Sequence, residues 1–255
     1  MGKTKIEWAT KVWNPITGCT KISEGCRNCY AFRMSKRLAG RYGYPKDNPF
    51  AVTFHPERLN EPLHWKKPQK IFVCSMGDLF HKDVLRSYIG LIWRTMQKAS
   101  QHTFLVLTKR ADRIAELLKN TSVFPTLPNV WLIVSVEDQK TADERIPLLL
   151  QTPAAKRGVS YEPALGPVDF SEYLPKTVPP DHANGTGYMT VGLDWLIMGG
   201  ESGSGARPMH LDWARKVRDD CKAAKVAFFM KQMSEKAPIP KDLMIREFPG
   251  EVPKC

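Results

Sequence analysis

The amino-acid sequence predicts an α/β protein built on a full or partial parallel β/α barrel of the TIM type, and three observations predict it. Short β-branched or apolar runs alternate with stretches of helical period. There are eight such runs, the strand number of a closed barrel. The segments that follow them are rich in polar, charged and glycine residues, the composition expected where parallel strands end and ligands bind.

The predicted strands, in order, are Lys11 to Trp13, Ala51 to Phe54, Lys70 to Ser75, Thr103 to Leu107, Val130 to Val136, Gly158 to Tyr161, Trp195 to Met198 and Val226 to Met230. Helical stretches run from Cys29 to Tyr42, Arg86 to Ala99, Ala111 to Lys119, Ala142 to Leu150 and Leu211 to Ala224. The segment from Leu59 to Trp65 is also helical in period, but Pro62 interrupts it. Six strands with flanking elements produce nearly the same pattern, so a closed and a partial barrel both remain open. The chain, residues 1–255, is expected to form a single domain with two appendages. One is an irregular insertion at about 163–192, rich in proline and glycine, which reads as a lid or as a surface loop. The other is a C-terminal extension at about 234–255.

Hydrophobic residues make up 42% of the chain and charged residues 25%, which excludes intrinsic disorder. The opening MGKTKIEWATKVW lacks an apolar signal core, and no run approaches the roughly 20 apolar residues that cross a bilayer. No membrane partner is expected. The net charge of +12 suits a polyanionic partner such as nucleic acid or a phosphorylated small molecule, and also simply serves solubility. Of six cysteines, three lie between positions 19 and 29 and the others at 74, 221 and 255, a poor disulfide framework that points to a reducing cytoplasm.

Six residues separate Cys19 from Cys26 and two separate Cys26 from Cys29, all on a loop made supple by Gly18 and Gly25. Thiolates so close in sequence can wrap one metal centre. A structural zinc site needs four ligands, so a zinc reading requires His55, Cys74 or another distant residue to complete the set. A cluster held by three cysteines keeps one iron open for a substrate or cofactor. Cys74 and Cys221 read as packing residues, and Cys255 as incidental.

The blocks WNPITGCTKISEGCRNCY, FVCSMGDLF, FLVLTKR, VWLIVSVEDQ, YEPALGP and IMGGESG resemble, in this order, the phage-associated three-cysteine-motif family, itself similar to radical S-adenosylmethionine proteins. The resemblance spans most of the chain from Trp8 to Met233. The usual superfamily spacing puts three residues between the first two cysteines, not six, and an aromatic before the third, where this chain has Asn28. A more distant similarity, to spore photoproduct lyase, lies in the order of the cysteine loop, Ser75 to Asp78, and Thr108-Lys109.

The resemblance implies a 4Fe–4S cluster on Cys19, Cys26 and Cys29, S-adenosyl-L-methionine as cofactor, a 5′-deoxyadenosyl radical as product of its cleavage, and an external one-electron donor. It also implies a nucleic acid or nucleotide as substrate, modified or rearranged at a base as in phage DNA hypermodification, and a host cytoplasm if the chain is phage-encoded. Gly77-Asp78 looks like a shortened form of the superfamily's Gly-Gly-Glu segment, with Asp78 accepting from the cofactor's amino group and Ser75 in the same network; the other reading of Asp78 is a helix cap. Lys109, chosen over its neighbour Arg110, is expected to pair with the cofactor's carboxylate. Ser135 and Glu137 are expected to meet its ribose, and Asp138 to cap a helix.

Glu162 and Glu201 follow strands and are candidates for proton transfer or polar substrate contacts. GGESGSG lacks the P-loop lysine-serine pair and the dinucleotide fingerprint. Arg33, Lys36, Arg37 and Arg41 share a predicted helical face, either as phosphate contacts or as a solvated surface. Two other function classes stay open: a zinc-stabilised, non-catalytic nucleic-acid-binding module, and a non-radical barrel enzyme acting on a phosphorylated metabolite.

Overall fold

A computed structural model describes residues 4, 6–178 and 188–251. In chain order the elements are β1 (Lys11–Trp13), β2 (Ile16–Thr17), α1 (Tyr30–Leu38), β3 (Thr53–Phe54), β4 (Lys70–Val73), α2 (Arg86–Lys98), β5 (Thr103–Thr108), α3 (Ala111–Leu118), β6 (Val130–Val136), α4 (Gln139–Gln151), β7 (Lys156–Tyr161), β8 (Thr177–Val178), β9 (Tyr188–Met189), β10 (Trp195–Gly199), α5 (Leu211–Ala224) and β11 (Ala227–Gln232). Seven strands form one sheet in the order β1-β4-β5-β6-β7-β10-β11, every neighbouring pair parallel. The barrel is therefore partial: among the described residues β1 and β11 do not pair.

Alternation along each strand divides the core in two. Ile71, Val73, Phe104, Val106, Leu132, Val134, Leu196 and Met198 face the layer of α2 to α5. Phe72, Leu105, Ile133, Trp195, Ile197 and Phe229 face the other side and enclose Trp8. Trp8 lies 4.7 Å from the Phe72 ring on β4 and 6.3 Å from the Trp195 ring on β10. In a flat sheet four strand spacings would set β4 and β10 about 19 Å apart, so the sheet curls around this indole into a half-barrel. Burial on both faces explains why the strands read as nearly continuous apolar runs.

Three expectations change. The run Ala51 to Phe54 is not a barrel strand; its last two residues pair antiparallel with β2 in a separate ribbon. The segment around Pro62 forms two short 3-10 turns instead of a helix, because the proline cannot donate to a longer ladder. Helix α1 stops at Leu38, where Gly40 turns left-handed at φ 71°, so Arg41 lies beyond the helix.

The insertion is not structureless in its described part. Val168, Phe170 and Leu174 are buried in the main core, and β8 and β9 form a hairpin. The C-terminal extension lies along the free edge of β11: Met230 N–H donates to Ile245 O and Glu247 N–H to Phe228 O, while Phe248 stacks near Trp195. That covers an edge that would otherwise recruit another strand. Cys255 lies outside the described residues. No helix among them is long and apolar enough to cross a membrane.

Trp8 fills the concave side and is 2% exposed. Trp8→Ala is expected to lower unfolding free energy in urea by about 3–5 kcal/mol, as loss of a buried aromatic does.

Candidate active site

Strands β4, β5, β6, β7 and β10 end on the same side of the sheet, and the cysteine loop crosses that side. Its entry depends on two glycines. Gly18 has φ 85° and forms a parallel bridge with Gly77, and a Cβ on Gly77 would stand 2.9 Å from Gly18 O. Only a pair of residues without side chains lets the loop lie this close to the end of β4.

Three carboxylates then clamp the loop from the strand ends. Glu137, after β6, is 1% exposed and accepts from Ser23 Oγ at 2.9 Å, with Lys109 Nζ at 2.6 Å and Arg145 Nη1 at 3.2 Å. Burial opposes ionisation of its carboxyl, yet Lys109 and Arg145 outweigh that and hold it below the usual range. Gly25 packs directly on it, and a Cβ there would lie 2.4 Å from Glu137 Cγ.

Glu201, after β10, accepts from Asn28 Nδ2 at 2.9 Å and from the Arg207 backbone N–H at 2.9 Å and its guanidinium, which also reaches Glu24 O at 2.9 Å. Burial raises the Glu201 carboxyl, but these donors bring it down to about 2. Asp78, after β4, accepts from Thr108 Oγ1 at 2.7 and 2.9 Å and from Arg110 Nη1 at 2.8 Å. Arg110 in turn donates to Thr20 O at 3.1 Å and to Cys19 Sγ at 3.4 Å. Burial and the Asp78 charge push the Cys19 thiol up to about 11, against the opposing pull of Arg110.

Beneath the loop lies a cavity of about 410 Å³, a size typical of small-molecule sites. Cys26, Cys29, Lys109, Ser135, Glu162 and Glu201 all line it, so these six expected site residues converge. Ser160, Lys231 and Gln232 join them, with Trp8, Phe72 and Leu107 as an apolar floor. Glu162 accepts from Lys231 Nζ at 2.6 and 2.8 Å and from Gln232 Nε2 at 3.2 Å.

The remaining expected residues sit around the cavity and do not line it. Asp78 accepts from Thr108, from Arg110 and from the Phe80 N–H, and it caps no helix. Ser75 donates to Asn14 Oδ1 at 3.2 Å, and its carbonyl accepts from Tyr30 Oη. Gly77 supports the loop backbone, and Glu137 is enclosed by its cations. Asp138 does cap α4, in a reciprocal box with Thr141. The residues missed, Ser160, Lys231 and Gln232, lie at the ends of β7 and β11, where the only signal in the sequence is a polar segment following an apolar run.

Cys19, Cys26 and Cys29 are free and half-buried, and the thiols of Cys19 and Cys26 have hydrogen-bonding neighbours, Arg110 and, at 3.8 Å, Ser23 Oγ. No group of three or more Cys, His, Asp or Glu among the described residues is gathered closely enough to hold a single ion. A closed zinc site needs a fourth ligand beside the three thiols, and the two suggested residues are occupied otherwise. His55 is bonded to Thr17 Oγ1 at 2.7 Å, and Cys74 is a buried packing residue. Three thiols on one loop are a donor set that suits a multi-iron cluster, in which each binds a different iron.

The chain belongs to the family described as "Protein of unknown function (DUF5131)", which it matches over residues 3–251. No curated protein matches it. Solved structures that resemble it include a cysteine-to-serine mutant of spore photoproduct lyase, at 10% identity over 90% of this chain and 78% of that one, TM-score 0.46. A double mutant of spore photoproduct lyase with bound AdoMet and dinucleoside spore photoproduct matches at 10% identity over 91% and 78%, TM-score 0.46.

Glu137→Ala leaves Lys109 and Arg145 without their shared anion and is expected to cost about 3–5 kcal/mol in denaturant unfolding, with faster alkylation of the loop thiols. Glu201 is ionised at lower pH in the folded chain than its ordinary value of 4.5. Its contribution is thus complete above that value and lost as pH falls toward 2. The stability gap between wild type and Glu201→Gln, followed by thermal melts, is expected to narrow from pH 5 to pH 2.

Proposed function

We propose that this member of the DUF5131 family is a radical S-adenosylmethionine enzyme acting on a nucleic-acid base or modified nucleotide, in phage-type DNA hypermodification. The observation that carries the reading is the three-cysteine loop held over a cavity at the carboxyl ends of a parallel half-barrel, with Cys26 and Cys29 in its wall. Cys19, Cys26 and Cys29 would hold a 4Fe–4S cluster. When bound, cluster and cofactor supply one-electron cleavage of the sulfonium to methionine and a 5′-deoxyadenosyl radical, the electron coming from an external donor.

The chain's own residues bind and position. Lys109, fixed by Glu137, keeps ammonium donors toward the cavity for the cofactor's carboxylate. Ser135 and Ser160 offer hydroxyls to its ribose. Trp8, Phe72 and Leu107 exclude water and supply a flat apolar floor for a ring. Glu162, held by Lys231 and Gln232 on the same wall, is the candidate for polar substrate contact or proton transfer. Glu201, Glu137 and the Asp78–Arg110 pair are positioning residues that set the loop. A base from a duplex would have to be flipped into the mouth, at a cost of a few kcal/mol. The five described cysteines are all free, consistent with work in a reducing cytoplasm.

Anaerobic purification and reconstitution, with iron and sulfide assays and electron paramagnetic resonance of the dithionite-reduced protein, tests the reading. About four irons per chain are expected, with a signal that shifts on adding S-adenosylmethionine and is lost in Cys26→Ala. Bound zinc without a cluster after reconstitution would overturn it.

A further inference from the structure

Charge on this molecule is not spread evenly. From Lys21 to Lys46 there are seven basic residues and one acid, Glu24, and Glu24 is engaged by Arg207 at 3.3 Å. Lys21, Arg27, Arg33, Lys36, Arg37, Arg41 and Lys46 are all exposed, and among the described residues none has a carboxylate partner within ion-pair distance. Helix α5 shows a contrast: its exposed Lys216 and half-buried Arg215 and Arg218 are all paired with aspartates. Three of the four cations on α5 are neutralised locally, Lys222 being the exception among the described residues; on α1 and its flanks all of them are left open.

The same strip carries exposed apolar faces. Of ten large hydrophobic residues that stand exposed among the described residues, four lie here: Ile22, Tyr30, Met34 and Tyr42, the last 75% exposed. Lys21 and Lys36 rest over the Phe32 ring at 5.6 and 4.6 Å, so their charges are held at the surface without being cancelled. The strip runs into the cavity: Tyr30 and Arg33, on the first turn of α1, line it together with Cys26 and Cys29.

Open cations interleaved with aromatic and thioether faces match one kind of occupant. A single-stranded polynucleotide offers phosphates to the cations and unstacked bases to the faces. A duplex keeps its bases stacked inside, and an acidic peptide has no flat rings to meet Tyr42. We infer that α1 and its flanks form a docking surface for a single-stranded nucleic acid, which passes Lys36, Arg37 and Arg41 and delivers a base past Arg33 into the mouth. This deepens the function proposed above by naming how its substrate lies.

The test measures fluorescence anisotropy of labelled 20-nucleotide DNA and RNA single strands on the full chain across a salt series. The proteins are wild type, a Lys36→Ala/Arg37→Ala/Arg41→Ala variant, and a Lys66→Ala/Lys67→Ala/Lys98→Ala variant that removes equal charge at the opposite end of the barrel. At least one strand is expected to bind wild type. The α1 variant is expected to lose tenfold or more, with the slope of log affinity against log salt reduced by about two, at roughly 0.7 per phosphate contact. The distal variant is expected to shift less than twofold, and circular dichroism confirms that all three are folded. Equal losses in both variants, no loss in the α1 variant, or binding of duplex or polyglutamate as tight as that of single strands would each overturn the inference. Binding is read independently of iron content, so an absent cluster and an absent docking surface show up as separate failures.

Discussion

The arrangement of the mouth depends on one buried carboxylate. Glu137 sits at the end of the central strand β6, enclosed by Lys109 from the neighbouring strand, Arg145 from the helix that follows, and Ser23 and Gly25 from the cysteine loop. An unpaired anion at that depth would be prohibitively costly, and so would either cation alone. Each partner is thus fixed by the others, and the loop is tied to the sheet at its central strand.

Glu201 and Asp78 repeat this device on either side. Asp78 reaches the start of the loop through Arg110, Glu137 holds its middle, and Glu201 holds Asn28, next to the third cysteine. Three strand ends therefore position one loop of eleven residues, from Cys19 to Cys29, that contains no α-helix or strand of its own. A loop meant to present thiols at defined places needs such external support, because thiol positions set on a free glycine-containing loop would be scattered. Glu162 takes no part in the clamp; with Lys231 and Gln232 it forms the polar wall of the cavity.

Outside the mouth the pairing of charge differs from one element to another. On α5, Arg215, Lys216 and Arg218 are matched to nearby aspartates, which weakens the field over that helix. The segment following the cysteine loop carries cations without partners, so its field extends outward beside the opening. Such a field concentrates polyanions where the cavity can receive part of them.

Element types and most of their bounds were legible because periodicity is a local property: β1, β6 and α5 have the ends expected of them, and the cysteine loop announces itself by spacing. The run before Phe54 misled because a short β-branched stretch carries no mark of which sheet it will join. The acidic residues after strands were found for the same local reason, but their roles were not. Whether Asp78, Glu137, Glu162 or Glu201 faces the cavity or braces the loop is decided by partners 114 residues away for Ser23 and Glu137, and 173 for Asn28 and Glu201. The choice of Lys109 over Arg110 shows the same limit: both end one strand, and alternation sends one to the cavity and the other to Cys19 and Asp78. Sequence by itself determined the fold class and the chemistry on offer. Only tertiary structure decided which charges meet, because a buried ion pair leaves no pattern in the chain until folding brings its members together.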